Sequence, residues 1–143
     1  MMSTSESGMR RIDVFFYGLF MDEALLHEKG VRPGSMQPAS VRGFQLRIGR
    51  RATLVANAAG CAYGIVASLT HRELDQLYSD PSLRDYRPEA VLAAISNSHF
   101  IPALCFNLMA PPSPDERNID YARKLRALAQ RLGFPPDYLA SIE

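Results

Sequence analysis

Hydrophobic positions fall along this chain in two rhythms, mostly alternating over the first two thirds and helical over the last. Ile12 to Tyr17 is an aromatic and β-branched run that predicts a buried strand. It leads into Gly18 to Met21, and Asp22 then stands as the N-cap of a short helix carrying Leu25 and Leu26. Gly30 to Pro38, punctuated by Gly and Pro, reads as a loop. From Val41 to Ile48 the alternation places Phe44, Leu46 and Ile48 on one face of a half-buried strand, and Cys61 to Leu69 predicts another. Thr70 and Glu73 carry a capping-box signature, opening a helix that turns Leu74 and Leu77 inward and cannot pass Pro81. Two further strands are expected at Ala90 to Ile95 and Phe100 to Leu108, joined by a polar turn at Ser96, Asn97 and Ser98.

In the last third, Ser113, Pro114, Asp115 and Glu116 supply an N-cap, a first-turn proline and a capping-box glutamate, which predicts a helix start. Ile119, Ala122, Leu125, Leu128, Ala129 and Leu132 then recur at helical spacing, and Gly133 fits the C-terminal cap. Pro135, Pro136 and Asp137 open a short final turn with Tyr138, Leu139 and Ile142. Residues 1–11 read as a flexible tail and 12–143 as a single domain. The fold class expected is α+β: a small mixed, mostly antiparallel, barrel-like sheet with flanking helices.

Composition narrows the function classes. At 143 residues, 47% hydrophobic and 22% charged, the chain has the makeup of one globular domain. No apolar run reaches the ~18–20 residues of a membrane span. The run Val14 to Met21 lacks the cleavage site of a secretory signal, so a cytoplasmic location is expected. A formal net charge of +1 argues against a dedicated nucleic-acid binder. Cys61 and Cys105 allow one bridge at most and are expected as reduced, half-buried thiols.

Conventional catalytic motifs are missing. His27, His71 and His99 are far apart and make no metal-ligand spacing. The sequence holds no serine nucleophile elbow, phosphate loop or dinucleotide fingerprint, so no metal or organic cofactor is implied. Lys29, Arg32, Arg42, Arg47, Arg50, Arg51 and Arg72 form a stretch without Asp or Glu, either a solvated basic face or a surface that steers anions. It lacks the interleaved aromatic residues of a nucleic-acid site. The sharpest local feature is Tyr17 to Asp22, where a glycine between strand and helix lets backbone N–H groups turn outward to meet a carboxylate or oxyanion.

The strand ending in Tyr17-Gly18 resembles the start of the gamma-glutamylcyclotransferase family and its AIG2-like relatives. Four more stretches are similar to that family: Gly60 to Val66, Leu74-Asp75, Tyr86-Arg87 with Val91, and the tail Gly133 to Tyr138. The resemblance spans about residues 12–142. It implies a cofactor-free cyclisation in which the α-amine of a γ-glutamyl compound attacks its own γ-carbonyl, giving 5-oxoproline and a free amine. It also implies that Tyr17, Gly18, Leu19 and Phe20 form a loop holding the substrate carboxylate, with Tyr86 orienting substrate or acid.

The sequence departs from the family at two places. The usual acid/base glutamate, one turn past Leu-Asp, is Tyr78, and Asp80 is the candidate substitute, with Asp85 and Glu89 as weaker ones. Glu73 belongs to the capping box, and Asp75 is expected to face solvent. The hydroxyl residue usual after the loop glycine is Leu19. Two readings follow: an enzyme acting on a γ-glutamyl amine or amino acid through Asp80, or a non-catalytic protein that binds a γ-glutamyl or other carboxylate. An anion- or nucleic-acid-binding accessory role for the basic stretch from Lys29 to Arg51 is the third.

Overall fold

The computed structural model describes residues 10–96 and 98–143. Most of the expected tail, residues 1–9, lies outside the described residues, as does Asn97 of the expected turn. The central strand is β1 (Arg11–Phe16), where Val14, Phe15 and Phe16 are buried in succession. A strand buried on both faces must be flanked on both edges as well, because its N–H and C=O groups have no water to bond. β1 pairs antiparallel with β3 (Ala52–Thr70), from Arg11↔Thr70 to Phe16↔Ile65, and parallel with β5 (His99–Leu108) at Val14↔Leu104. With β2 (Met36–Ile48) and β4 (Tyr86–Ser96) the order is β1-β3-β2-β4-β5, a barrel-like ring. Two seams carry a single paired position each, β1 to β5 at Val14↔Leu104 and β2 to β4 at Ser40↔Ala94.

β2 starts earlier than its sequence suggests. Gly30 to Pro38 is expected to be a loop, yet Met36, Gln37 and Pro38 pair with Ala67, Val66 and Ile65. Pro38 has no N–H to donate, and a strand with one nearly open edge tolerates that loss. β3 is likewise longer than expected, its first half Ala52 to Ala56 pairing with Phe44 to Ile48. Between Arg42↔Cys61 and Phe44↔Ala56 the register shifts, with Asn57 to Gly60 opposite Gly43 alone. Gly43 takes φ +88, a left-handed value that favours glycine. The shift lets Val41, buried, and Phe44, Leu46 and Ile48, buried or half-buried, all turn inward despite their opposite parity.

The helices sit where local signals are self-contained. Asp22 caps α1 (Glu23–Glu28) by accepting the Ala24 N–H at 3.0 Å. Thr70 and Glu73 close a full capping box on α2 (His71–Leu77), which buries Leu74 and Leu77. α3 (Ile119–Arg131) buries Ala122, Leu125, Leu128 and Ala129. It ends at Gly133 (φ +80) with Phe134 N–H to Ala129 C=O and Gly133 N–H to Gln130 C=O, the paired bonds of a Schellman cap. α4 (Pro136–Ser141) follows.

One expected helix start is corrected. Ser113 to Glu116 forms a turn, and α3 begins later, capped by the Asn118 side chain, which accepts the Tyr121 N–H. Glu116 does reach back to the Ser113 N–H (3.0 Å), but its other oxygen accepts the Arg50 N–H (3.0 Å). Ser113 Oγ bonds the Asp115 carboxylate and caps nothing. Among the described residues no helix is long and apolar enough to cross a membrane.

Candidate functional site

Beside the end of β1 lies a cavity of about 320 Å³, at the small end of ligand pockets. Tyr17, Gly18, Leu19, Phe20, Asp80 and Tyr86, all singled out from sequence, contribute to its lining. Residues the sequence reading did not place there also line it: Phe106 from β5, Tyr121 from α3, and Lys29, Arg50 and Arg51 at the mouth.

The inner wall is aromatic. Tyr78, at the C-terminus of α2, stacks on Phe106 with centroids 4.0 Å apart and planes 17° off parallel. Phe20 meets Tyr78 edge-on at 6.1 Å and Phe16 at 5.7 Å. Four phenols face this region, and burial pushes the pKa of each upward, so all are neutral donors at pH 7. Tyr17 donates to the Phe106 carbonyl at 2.6 Å, and Tyr86 donates to the Ala52 carbonyl. Arg51 opposes the rise at Tyr86. The Tyr78 hydroxyl takes no hydrogen bond among the described residues.

The glycine loop is shaped differently from the sequence expectation. Leu19–Met21 is a 3₁₀ turn closed by Met21 N–H to Gly18 C=O (3.0 Å). Gly18 has φ −113, an extended value open to any residue, so glycine is demanded here by space. A Cβ on Gly18 would collide with the Tyr121 hydroxyl. That same hydroxyl accepts the Leu19 N–H at 3.4 Å, so one amide of the loop already has a partner.

The mouth is cationic and braced. Arg51 pairs with Asp85 at 3.2 Å, reaches the Ser82 carbonyl at 3.4 Å, and lies 5.9 Å from the centre of the Tyr86 ring. Arg50 is held through its backbone, its N–H to Glu116 and its C=O accepting from Asn118 Nδ2 at 3.1 Å. The β2–β3 hairpin tip is thus tethered on both sides, which fixes where Arg50 and Arg51 emerge.

Asp80 stands exposed at the rim. Its Oδ1 accepts from Ser82 N–H (2.9 Å) and Ser82 Oγ (2.8 Å), capping the turn Pro81–Leu83, and these bonds hold its carboxyl below the usual range. Of the other acids, Asp75 is exposed, Glu73 serves the capping box, Asp85 holds Arg51, and Glu89 accepts from Asn107 Nδ2 at 2.8 Å. None of these four lines the cavity. Among the described residues no three His, Cys, Asp or Glu come together as a metal site. The basic stretch is dispersed: Lys29, Arg50 and Arg51 reach this mouth, while Arg42 lines a separate depression with Cys61 and Tyr63. Both cysteines are free, but neither is half-buried as expected: Cys61 is exposed and Cys105 fully buried.

No protein-family model and no curated protein matches the sequence. Solved structures do. YkqA from Bacillus subtilis superposes with a TM-score of 0.77 at 21% identity, over 97% of this chain and 55% of that one. A gamma-glutamyl cyclotransferase gives 0.72 at 21% identity, over 94% and 89% of the two chains. This chain has the gamma-glutamyl cyclotransferase fold. An AIG2-like protein from Mus musculus shares it more loosely, with a TM-score of 0.54 at 12% identity over 76% of this chain and 89% of that one. The expected α+β class, with its mostly antiparallel sheet and flanking helices, agrees with that fold. This chain spans little more than half the length of YkqA.

Proposed function

We propose that this domain is a small-molecule binding protein whose cavity takes a carboxylate ligand. The observation that carries the reading is the distribution of charge: neutral phenols and apolar rings inside, Lys29, Arg50 and Arg51 at the mouth, and Asp80 as the sole lining carboxylate among the described residues. An anion entering past three cations meets the Tyr78 and Tyr121 hydroxyls, whose protons are not engaged among the described residues, and no buried negative charge to repel it.

A second reading, turnover of a γ-glutamyl amine, is favoured by one observation: Asp80 lines the same cavity as the Gly18 loop. Asp80 would take a proton from the substrate ammonium. The freed amine would attack the γ-carbonyl, and the proton would return to the departing nitrogen as the C–N bond breaks. Against it stands the lowered pKa of Asp80, which makes this carboxylate a weak base toward an ammonium group.

Calorimetry with a γ-glutamyl amine, run beside an assay for 5-oxoproline, separates the two. Binding without product supports the binding protein, and product from wild type that vanishes in Asp80→Asn supports the enzyme. Neither heat nor product, with simple carboxylates equally silent, overturns both.

A further inference from the structure

The same lining narrows which carboxylate fits. A γ-glutamyl compound carries an ammonium as well as a carboxylate, and a desolvated ammonium needs a counter-charge or several acceptors. The cavity offers Asp80, which lies out in solvent and is already engaged by Ser82 through two bonds. Asp85, outside the lining, holds Arg51. The wall instead provides flat apolar surface: the Tyr78–Phe106 stack, Phe20 across its edge, and the aliphatic Leu19, Leu25 and Leu83.

We propose that the cavity selects a carboxylate with a ring-sized apolar body and no ammonium group, an aryl- or acyl-carboxylate, seated body-inward against Tyr78, Phe106 and Phe20. This rests on the carboxylate-binding reading above. The acid end then lies toward Arg51. Asp85, the Ser82 carbonyl and the Tyr86 ring already restrain that guanidinium, so little side-chain freedom is lost when it meets an anion. The Tyr78 hydroxyl, lacking a partner among the described residues, supplies a neutral donor in the same lining. The phenol edges and rings suit an apolar or aromatic body, where a zwitterion would strand its charge.

The test is calorimetric titration of the full chain with 3-phenylpropionate, 3-phenylpropanamide, phenylalanine and γ-glutamyl methylamide. Expected is binding of 3-phenylpropionate at least tenfold tighter than each of the other three. Arg51→Gln is expected to weaken it about tenfold and Tyr78→Phe, which keeps the ring stack, about threefold. Tighter binding of γ-glutamyl methylamide or phenylalanine overturns this ligand class and leaves the carboxylate reading standing. Equal binding of acid and amide, or no binding of any of the four, overturns both. These wild-type comparisons decide the matter whether or not either variant folds.

Discussion

The Tyr121 hydroxyl on α3 occupies the space beside Gly18 where any other residue would carry a side chain, and it accepts the Leu19 N–H. One phenol therefore locks the last helix to the loop after the first strand. Gly18→Ala is expected to lower stability by about 1–3 kcal/mol, the usual penalty for overpacking. Tyr121→Phe in that background removes the colliding oxygen and is expected to recover most of the loss. Urea unfolding of the two single variants and the double variant measures the coupling. Additive effects would mean the two residues do not confine each other.

A second expectation concerns the join between β3 and β5, which have no backbone ladder. Side chains tie them: Leu108 N–H bonds Thr53 Oγ1 at 2.9 Å, and Leu54 N–H bonds Asn107 Oδ1 at 3.2 Å. Thr53 and Asn107 are both buried. Asn107→Leu strands the Leu54 N–H away from water and is expected to cost about 1–3 kcal/mol. Hydrogen exchange at Leu54, followed by NMR, should quicken in this variant. Unchanged protection there would show that the bond contributes nothing.

The two thiols provide a third test. Burial pushes the Cys105 thiol up to about 12, with nearby Glu89 adding to the rise, whereas Cys61 is exposed. Iodoacetamide at pH 8 is expected to modify Cys61 and spare Cys105 until the chain unfolds. A folded-state pKa above the unfolded value of about 8.5 also means that Cys105 favours the fold fully at neutral pH. That contribution fades as pH rises from there toward 12. Mass spectrometry of digests reads the first effect and alkaline urea titration the second.

Acid acts in the opposite sense. Desolvation raises the Glu73 pKa, but the N–H groups of Thr70 and Arg32 and the Thr70 hydroxyl outweigh it and leave the value lowered. A depressed folded-state pKa gives stability that is present above the unfolded value of about 4.3 and lost as pH falls through the folded one. Glu73→Gln should therefore flatten the decline of the urea midpoint below about pH 4. A slope identical to wild type would remove Glu73 from the acid response.

How much of this was written locally in the sequence depends on where each partner lay. Thr70 and Glu73 find each other within one turn, so their helix could be read directly. Ser113 and Glu116 carry the same signature, but Glu116 also serves the distant Arg50 amide, and no spacing rule reveals that competitor. Pro38 signals a loop unless the open edge of its strand is known. At the site, the Tyr17 to Phe20 loop was legible from its glycine between strand and helix, whereas Asp80 and Tyr86 came only from the family resemblance; one cavity gathers them. Phe106 and Tyr121 were not, since alternation and helical spacing mark them only as ordinary packing positions. Arg50 and Arg51 were visible as charge, but only the tethered hairpin tip gives that charge a place.

The phenol-lined wall has a practical corollary. The chain has no tryptophan and six tyrosines, and Tyr17, Tyr78, Tyr86 and Tyr121 all border the cavity. Ultraviolet emission from this protein is consequently dominated by the very side chains a guest would touch. Occupancy can be followed by quenching in the unlabelled molecule, without an attached dye.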